Sequence, residues 1–323
     1  MKQKLFTVAT ACVGLAAVAL AGSPALADPI GTPTFRALAG VGSDTTQDIL
    51  NGLSEVVTIN GVKQIGSYDA TGSATISPKN TAACTNIPRP NGSSAGKNAL
   101  IANNPAGCYQ FARSSSGPNS TTFPGVTSIP FALDGLTFAV TASSSFPKSL
   151  TLDELKAIYR CESIGAGLQP TLPQLNSGTK DSWATLMTGS RTGLDTRVVN
   201  AGEMPNAARC ITLTQEHDAR SLTNSQIAPF SVAKSIGMQG GVIADQRGQS
   251  VLGAIGGSAP LQLNAAQQST RVVYNVVRSA ELNDPTIDAV FTGADSLVCQ
   301  ATATIIAQGF APVTNCGATN FSG

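Results

Sequence analysis

Histidine, tryptophan and charge are all scarce in this chain. Among 323 residues there is one histidine, His217, and one tryptophan, Trp183, and charged residues make up only 12%. A single histidine leaves little scope for a Ser-His-Asp triad, and no Gly-x-Ser-x-Gly elbow is present. The cysteines have neither Cys-x-x-Cys spacing nor histidines beside them, which argues against a zinc site, and no other metal or cofactor is expected. Aromatics are few, at 5%, so small aliphatic and β-branched residues must fill the core. The 20 basic and 19 acidic residues form no basic patch, so the chain carries no electrostatic footprint for nucleic acid. Repeats of solenoid period are absent.

What is present bounds the answer further. The chain is 42% hydrophobic with 32 glycines and 18 prolines, enough for a real core and for two lobes. Residues 1–27 read as a secretory leader: Lys2 and Lys4, an apolar run from Leu5 to Leu20, and the small-residue site Ala25-Leu26-Ala27. Removing Lys2 and Lys4 leaves 18 basic against 19 acidic residues, a net charge of −1. Leu20-Ala21-Gly22-Ser23 resembles a lipoprotein box with serine where the lipidated cysteine would stand, so a released, extracellular protein is expected. Past Cys12 the chain keeps six cysteines, an even count that reads as disulfides in an exported protein. Proximity along the chain suggests Cys84–Cys108, Cys161–Cys210 and Cys299–Cys316.

Strand and helix signals alternate. Phe35 to Val41 reads as a strand, and Gln47 to Val57 as a helix with Ile49, Leu50, Leu53, Val56 and Val57 at helical spacing and Ser43 or Asp44 as its cap. Val126 to Phe131 and Leu136 to Thr141 read as two central strands. Thr151 to Tyr159 is a helix with a capping box, Thr151 and Glu154. Arg271 to Val277 is a buried strand. This is α/β organisation.

Four polar turns share one design: Ser43-Asp44-Thr45-Thr46, Ser93-Ser94, Arg113-Ser114-Ser115 and Ser177-Gly178-Thr179. Three of them open helices, whose first amides lack internal partners and carry the positive end of the dipole. Hydroxyls add donors, and Arg113 could add a fork of donors to a tetrahedral oxyanion. Trp183, just past the last turn, is expected to report closure around such a ligand.

The order of these pieces resembles the phosphate-binding substrate-capture proteins of ABC transporters. The matching stretches are Gly-Ser-Asp-Thr-Thr at 42–46, Gly-Ser-Ser-Ala-Gly-Lys-Asn at 92–98, Phe-Ala-Arg-Ser-Ser at 111–115, the helix at 150–159, and Ser-Gly-Thr at 177–179. The resemblance implies a two-lobed, type II periplasmic-binding-protein-like α/β fold. One lobe would comprise residues 28–140 plus 241–323 and the other 141–240, with crossings near 141–150 and 226–240. It also implies a monomeric protein that captures phosphate or a related small anion and delivers it to an ABC permease, without catalysis. Ligand contacts carry over to Thr45 or Thr46, Ser94, Ser115, Ser177, Gly178 and Thr179. Two departures stand out: Ser115 sits where the family usually has an aspartate, and the family's arginine before Ser-Gly-Thr is missing.

Other readings stay open. The fold could serve a released surface or extracellular binding protein with no transport role. Ser231-Val232-Ala233-Lys234 matches the Ser-x-x-Lys of penicillin-recognising hydrolases. Gln215-Glu216-His217-Asp218 could be an acid–base cluster or a hydrogen-bonded structural turn.

Overall fold

The computed structural model describes Asp28 and residues 35–162, 167–261, 263 and 269–320. The leader expected at 1–27 lies outside the described residues.

Strand β1 (Leu38–Gly42) is wholly buried, and helix α1 (Gln47–Val56) turns Ile49, Leu50 and Leu53 onto the same core. Strand β2 (Ile65–Ser67), helix α2 (Ser93–Ala102), strand β3 (Phe111–Ser114) and strand β4 (Val126–Thr141) follow. The middle of the chain supplies α3 (Leu152–Tyr159), β5 (Gln169–Pro173), α4 (Gly178–Thr188), β6 (Thr212–Thr214), β7 (Gln226–Ser231) and α5 (Val232–Gln239). It ends with β8 (Ser250–Leu252), β9 (Thr270–Arg278), α6 (Pro285–Phe291), α7 (Leu297–Gln300) and α8 (Thr302–Ala307).

One curled sheet runs β6-β5-β7-β4-β9-β3-β1-β2, with β8 also on β4. Its axis is β4, whose 16 residues are all buried. At about 3.3 Å per residue it reaches roughly 50 Å, long enough to serve both lobes. Residues 126–135 pair with β9 and residues 136–139 with β7, both antiparallel. One lobe packs Leu38, Ile49, Phe111, Ile129 and Phe291 together, and the other packs Leu136, Phe138, Leu155, Trp183 and Ile211. The two-lobed α/β fold implied by the resemblance is therefore observed.

The directions of the strands decide where a site can form. β1 lies parallel to β2 and β3, and β5 lies parallel to β6 and β7. Their carboxyl ends all point at the middle of β4, one set from each lobe. The turns that follow those strands therefore face one another across Asp134 and Gly135, as expected for ligand sites of open α/β sheets.

Three expectations need correction. The two strands read at 126–131 and 136–141 are one. Asp134 and Gly135 look like a break in sequence, but the Asp134 carboxylate is satisfied by Arg271, the Ser231 hydroxyl and the Ala233 amide, so the strand passes through. The cap of α1 is Thr46, without a side-chain cap bond, and neither Ser43 nor Asp44. Trp183 is sealed in a lobe core edge-on to Tyr159, so its indole is not on the cleft face.

Other local readings hold. The Thr151/Glu154 capping box forms at α3. Cys84–Cys108, Cys161–Cys210 and Cys299–Cys316 are bonded, closing separations of 24, 49 and 17 residues. Each links residues within one lobe, and such loops restrict the unfolded chain.

Lys97 on α2 is a buried amine whose Nζ lies 3.1 Å from Ser116 Oγ and 4.0 Å from the Phe123 ring centroid. Burial, with a smaller push from Arg191, brings its pKa down to about 7. The unfolded chain therefore binds more protons than the folded one between about pH 7 and 10.5, so stability rises across that window. Lys97→Met is expected to remove that rise and to be more stable than the parent at pH 7. Urea unfolding of both proteins at pH 7 and pH 9.5 checks it, and parallel pH profiles would refute it.

Candidate functional site

The four polar turns meet. Ser43, Thr45, Thr46, Ser93, Ser115, Ser177 and Thr179 are all fully buried, although they lie up to 136 residues apart in the chain. Ser115 Oγ lies 3.0 Å from Ser43 Oγ, 3.1 Å from Thr45 Oγ1 and 3.4 Å from Ser93 Oγ. Thr45 Oγ1 lies 3.1 Å from Thr179 Oγ1, which joins the first lobe to the second. Local chemistry accounts for the placement. Gly42, with φ +118°, turns the chain off β1, and Ser177 caps α4 by accepting the Lys180 amide at 3.1 Å. Gly178 lets α4 approach so closely that a Cβ there would lie 2.3 Å from Ser93 Oγ.

Some expected contacts point elsewhere. The Ser94 amide donates to Asn176 O across the lobes at 3.1 Å, and its hydroxyl lies 3.5 Å from Asp181. Ser114 Oγ donates locally to Ser116 O at 2.7 Å. Thr46 Oγ1 is buried without a partner. Arg113 is fully buried but donates to Ser43 O, Gly40 O and Ser67 Oγ, tying β1 to β2. Burial lowers its pKa to about 10 against the pull of Asp69 and Asp44.

The guanidinium that reaches the hydroxyls is Arg271, at the head of β9. Its Nη2 lies 2.8 Å from Thr179 Oγ1 and 3.3 Å from Thr45 Oγ1, while Nε and Nη2 fork onto Asp134 Oδ2 at 3.0 and 2.8 Å. Nη1 is buried without a partner. The sequence does signal this residue, as a lone charge opening an apolar run, but only the register β9–β4 places it beside Asp134.

Glu216 also joins the cluster. Its Oε1 accepts the Thr45 hydroxyl at 3.0 Å and the Thr179 amide at 3.3 Å, while Oε2 is buried with no partner. His217 bridges the lobes, with Nδ1 2.9 Å from Asp44 Oδ1 and Nε2 3.4 Å from Thr179 Oγ1. The 215–218 segment is thus a hydrogen-bonded part of the cluster.

Asp44 neither caps α1 nor bonds Arg113; it is charge-paired. Lys234 Nζ lies 3.2 Å from Asp44 Oδ1 and 2.8 Å from Asp48 Oδ2. Burial alone would raise the Asp44 pKa, but Lys234 and His217 outweigh it and hold the carboxyl below its usual range. Burial alone would lower Lys234, and the two carboxylates hold it above its usual value. Lys234 thus spends its donors on aspartates, while Ser231 Oγ donates to Asp134 at 2.7 Å and caps α5. The Ser-x-x-Lys stretch forms no serine–lysine couple. Among the described residues no group of three or more His, Cys, Asp or Glu could hold a metal, and no helix is long and apolar enough to cross a membrane.

Two lobes on a shared sheet, with hydroxyls, a helix N-terminus and a guanidinium between them, define a two-lobed, periplasmic-binding-protein-like fold. The family profile described as "PBP superfamily domain" matches residues 40–309, and the chain belongs to that superfamily. Solved structures agree on the fold. An ABC-type phosphate transport receptor from Vibrio cholerae superposes with a TM-score of 0.53 at 15% identity, covering 85% of this chain and all of that one. A phosphate ABC transporter substrate-binding protein from Clostridium perfringens, solved with bound phosphate, gives 0.57 at 15% identity, covering 86% and 99%. An ancestral soluble variant of the human phosphate-binding protein gives 0.52 at 12% identity, covering 87% and 91%. Curated proteins yield no sequence match.

Proposed function

We propose that this protein is an extracellular solute-binding protein that captures phosphate or a related small oxyanion between its lobes. The observation that carries the reading is the convergence of Thr45, Ser115 and Thr179 with the Arg271 guanidinium and the first amides of α4. Hydroxyls and amides can be shared among the oxygens of a tetrahedral anion, and a guanidinium adds charge. The three fold relatives, all phosphate-binding by description, point the same way. Ser43, Ser93, Ser177 and Gly178 shape the wall, and Arg271 takes the cationic role that Arg113 was expected to fill.

Opening and closing would pivot where the chain passes between lobes: at residues 133–136 of β4, at the junction of β7 and α5, and at the start of β9. Delivery to an ABC permease, as a monomer, completes the proposed role. Ser23 in place of a lipidated cysteine favours the second reading, a released binding protein with no transport partner. Recovery of the protein from culture medium, with growth on scarce phosphate unaffected by its loss, selects that second reading.

Titration calorimetry with phosphate and sulfate is expected to show one saturable site for at least one of them. Arg271→Lys keeps the charge but loses the fork, and is expected to weaken binding about tenfold, or ~1.4 kcal/mol. Absence of binding by the intact protein and by the Glu216 variants below would end the oxyanion reading.

A further inference from the structure

The most telling group in the cleft is one the chain supplies against itself. Glu216 is fully buried, and its carboxylate takes the donors a bound oxyanion would need. Oε1 accepts from Thr45 of the first lobe and from the Thr179 amide at the N-terminus of α4 in the second. It therefore bridges the lobes as a ligand would. Oε2 and the Arg271 Nη1 are both buried in the cluster and both lack partners.

Its position is held from several sides. The parallel register of β5 and β6 sets Thr214 beside Pro173, so the segments after both strands enter the cleft together. The Glu216 amide donates to Gln174 Oε1 at 3.1 Å, and Gln215 Oε1 accepts from Asn91 of the other lobe at 3.2 Å. His217 has φ +54°, a left-handed conformation that a residue with a Cβ adopts at some cost. Its bonds to Asp44 and Thr179 offset that cost and keep the turn aimed inward.

We propose that Glu216 is a tethered anion that occupies the oxyanion site and sets its affinity and selectivity. The inference rests on the oxyanion reading above. A free anion must displace the carboxylate from Thr45 and Thr179 before it can take their hydrogen bonds. A tethered competitor acts at a high effective concentration, so the apparent affinity falls by the fraction of molecules in which it has swung away. The site rejects oxyanions at low concentration and answers only when they are abundant.

The test is calorimetric titration of inorganic phosphate and sulfate into the intact protein, Glu216→Gln and Glu216→Ala, with circular dichroism to establish folding. Glu216→Gln keeps the shape of the side chain and removes its charge, so it guards against a folding defect in the alanine variant. The expected result is phosphate binding at least about tenfold tighter in Glu216→Ala, with Glu216→Gln between the two. Unchanged or weaker binding in both folded variants would overturn the tethered anion while leaving the oxyanion reading intact. No binding of either anion by any of the three proteins would overturn both.

Discussion

Lys234→Met is expected to cost about 3–5 kcal/mol of folding stability, the range seen when one partner of a buried ion pair is removed. The Lys234 side chain is 2% exposed and is the ammonium within 4 Å of both Asp44 and Asp48. Methionine fills a similar volume, so packing is nearly conserved and the effect isolates charge. Asp44 keeps the His217 contact, but Asp48 loses the one cation paired with it among the described residues. The triple change Lys234→Met, Asp44→Asn, Asp48→Asn should recover much of the loss, since removing all partners of a buried pair is far less damaging than removing one. Urea denaturation midpoints at pH 7 measure both. A loss under about 1 kcal/mol for the single change would mean Asp44 is hydrated once Lys234 is gone, contrary to its burial.

Gly178→Ala is expected to hold the lobes apart. Alanine suits the first turn of α4, where it improves helix propensity by roughly 1 kcal/mol over glycine. The obstacle lies across the cleft. The new Cβ would stand 2.3 Å from Ser93 Oγ, 2.4 Å from Ser115 Oγ and 2.9 Å from the Ser116 amide nitrogen. Hydroxyls can rotate aside, but the backbone amide cannot. Closing against it costs about 1–3 kcal/mol, so anion binding should weaken about 10- to 100-fold while the lobes stay folded. Small-angle scattering should give a larger radius of gyration for the variant than for the parent. Equal radii with unchanged affinity would show that the lobes do not meet at Gly178. Scattering is preferred to indole emission because Trp183 sits in a lobe core.

Much of this was legible from residues near one another in the chain. The helices at 47–56, 93–102, 152–159 and 178–188 show in apolar spacing, caps and polar turns, because those signals are set within a few residues. The three disulfides followed from proximity along the chain. That the polar turns share one chemistry was also readable, since serine, threonine and glycine recur at helix starts, and the structure brings those turns together.

The misreadings have a common cause. Arg113 and Arg271 are both arginines bordering strands, and only strand register separates them: Arg113 lies against β1 and Arg271 against Asp134. Asp134 reads as a break between two strands because an isolated carboxylate is costly in a buried strand, and its compensating partners come from residues 231, 233 and 271. Glu216 lies in a polar run that reads equally as an acid–base cluster or a hydrogen-bonded structural turn. Nothing local says that the run enters a cleft.

By itself, then, the sequence determined the α/β elements, the cross-links and the hydroxyl-rich turns, because each depends on short-range propensity, capping or a small set of cysteines. Tertiary structure alone decided which charges face which. The sheet curls around β4 and brings carboxyl ends from both lobes to one point. Only there do Glu216, Arg271, Thr45 and Thr179 become neighbours, since Coulomb and hydrogen-bond energies depend on distance in space and not along the chain.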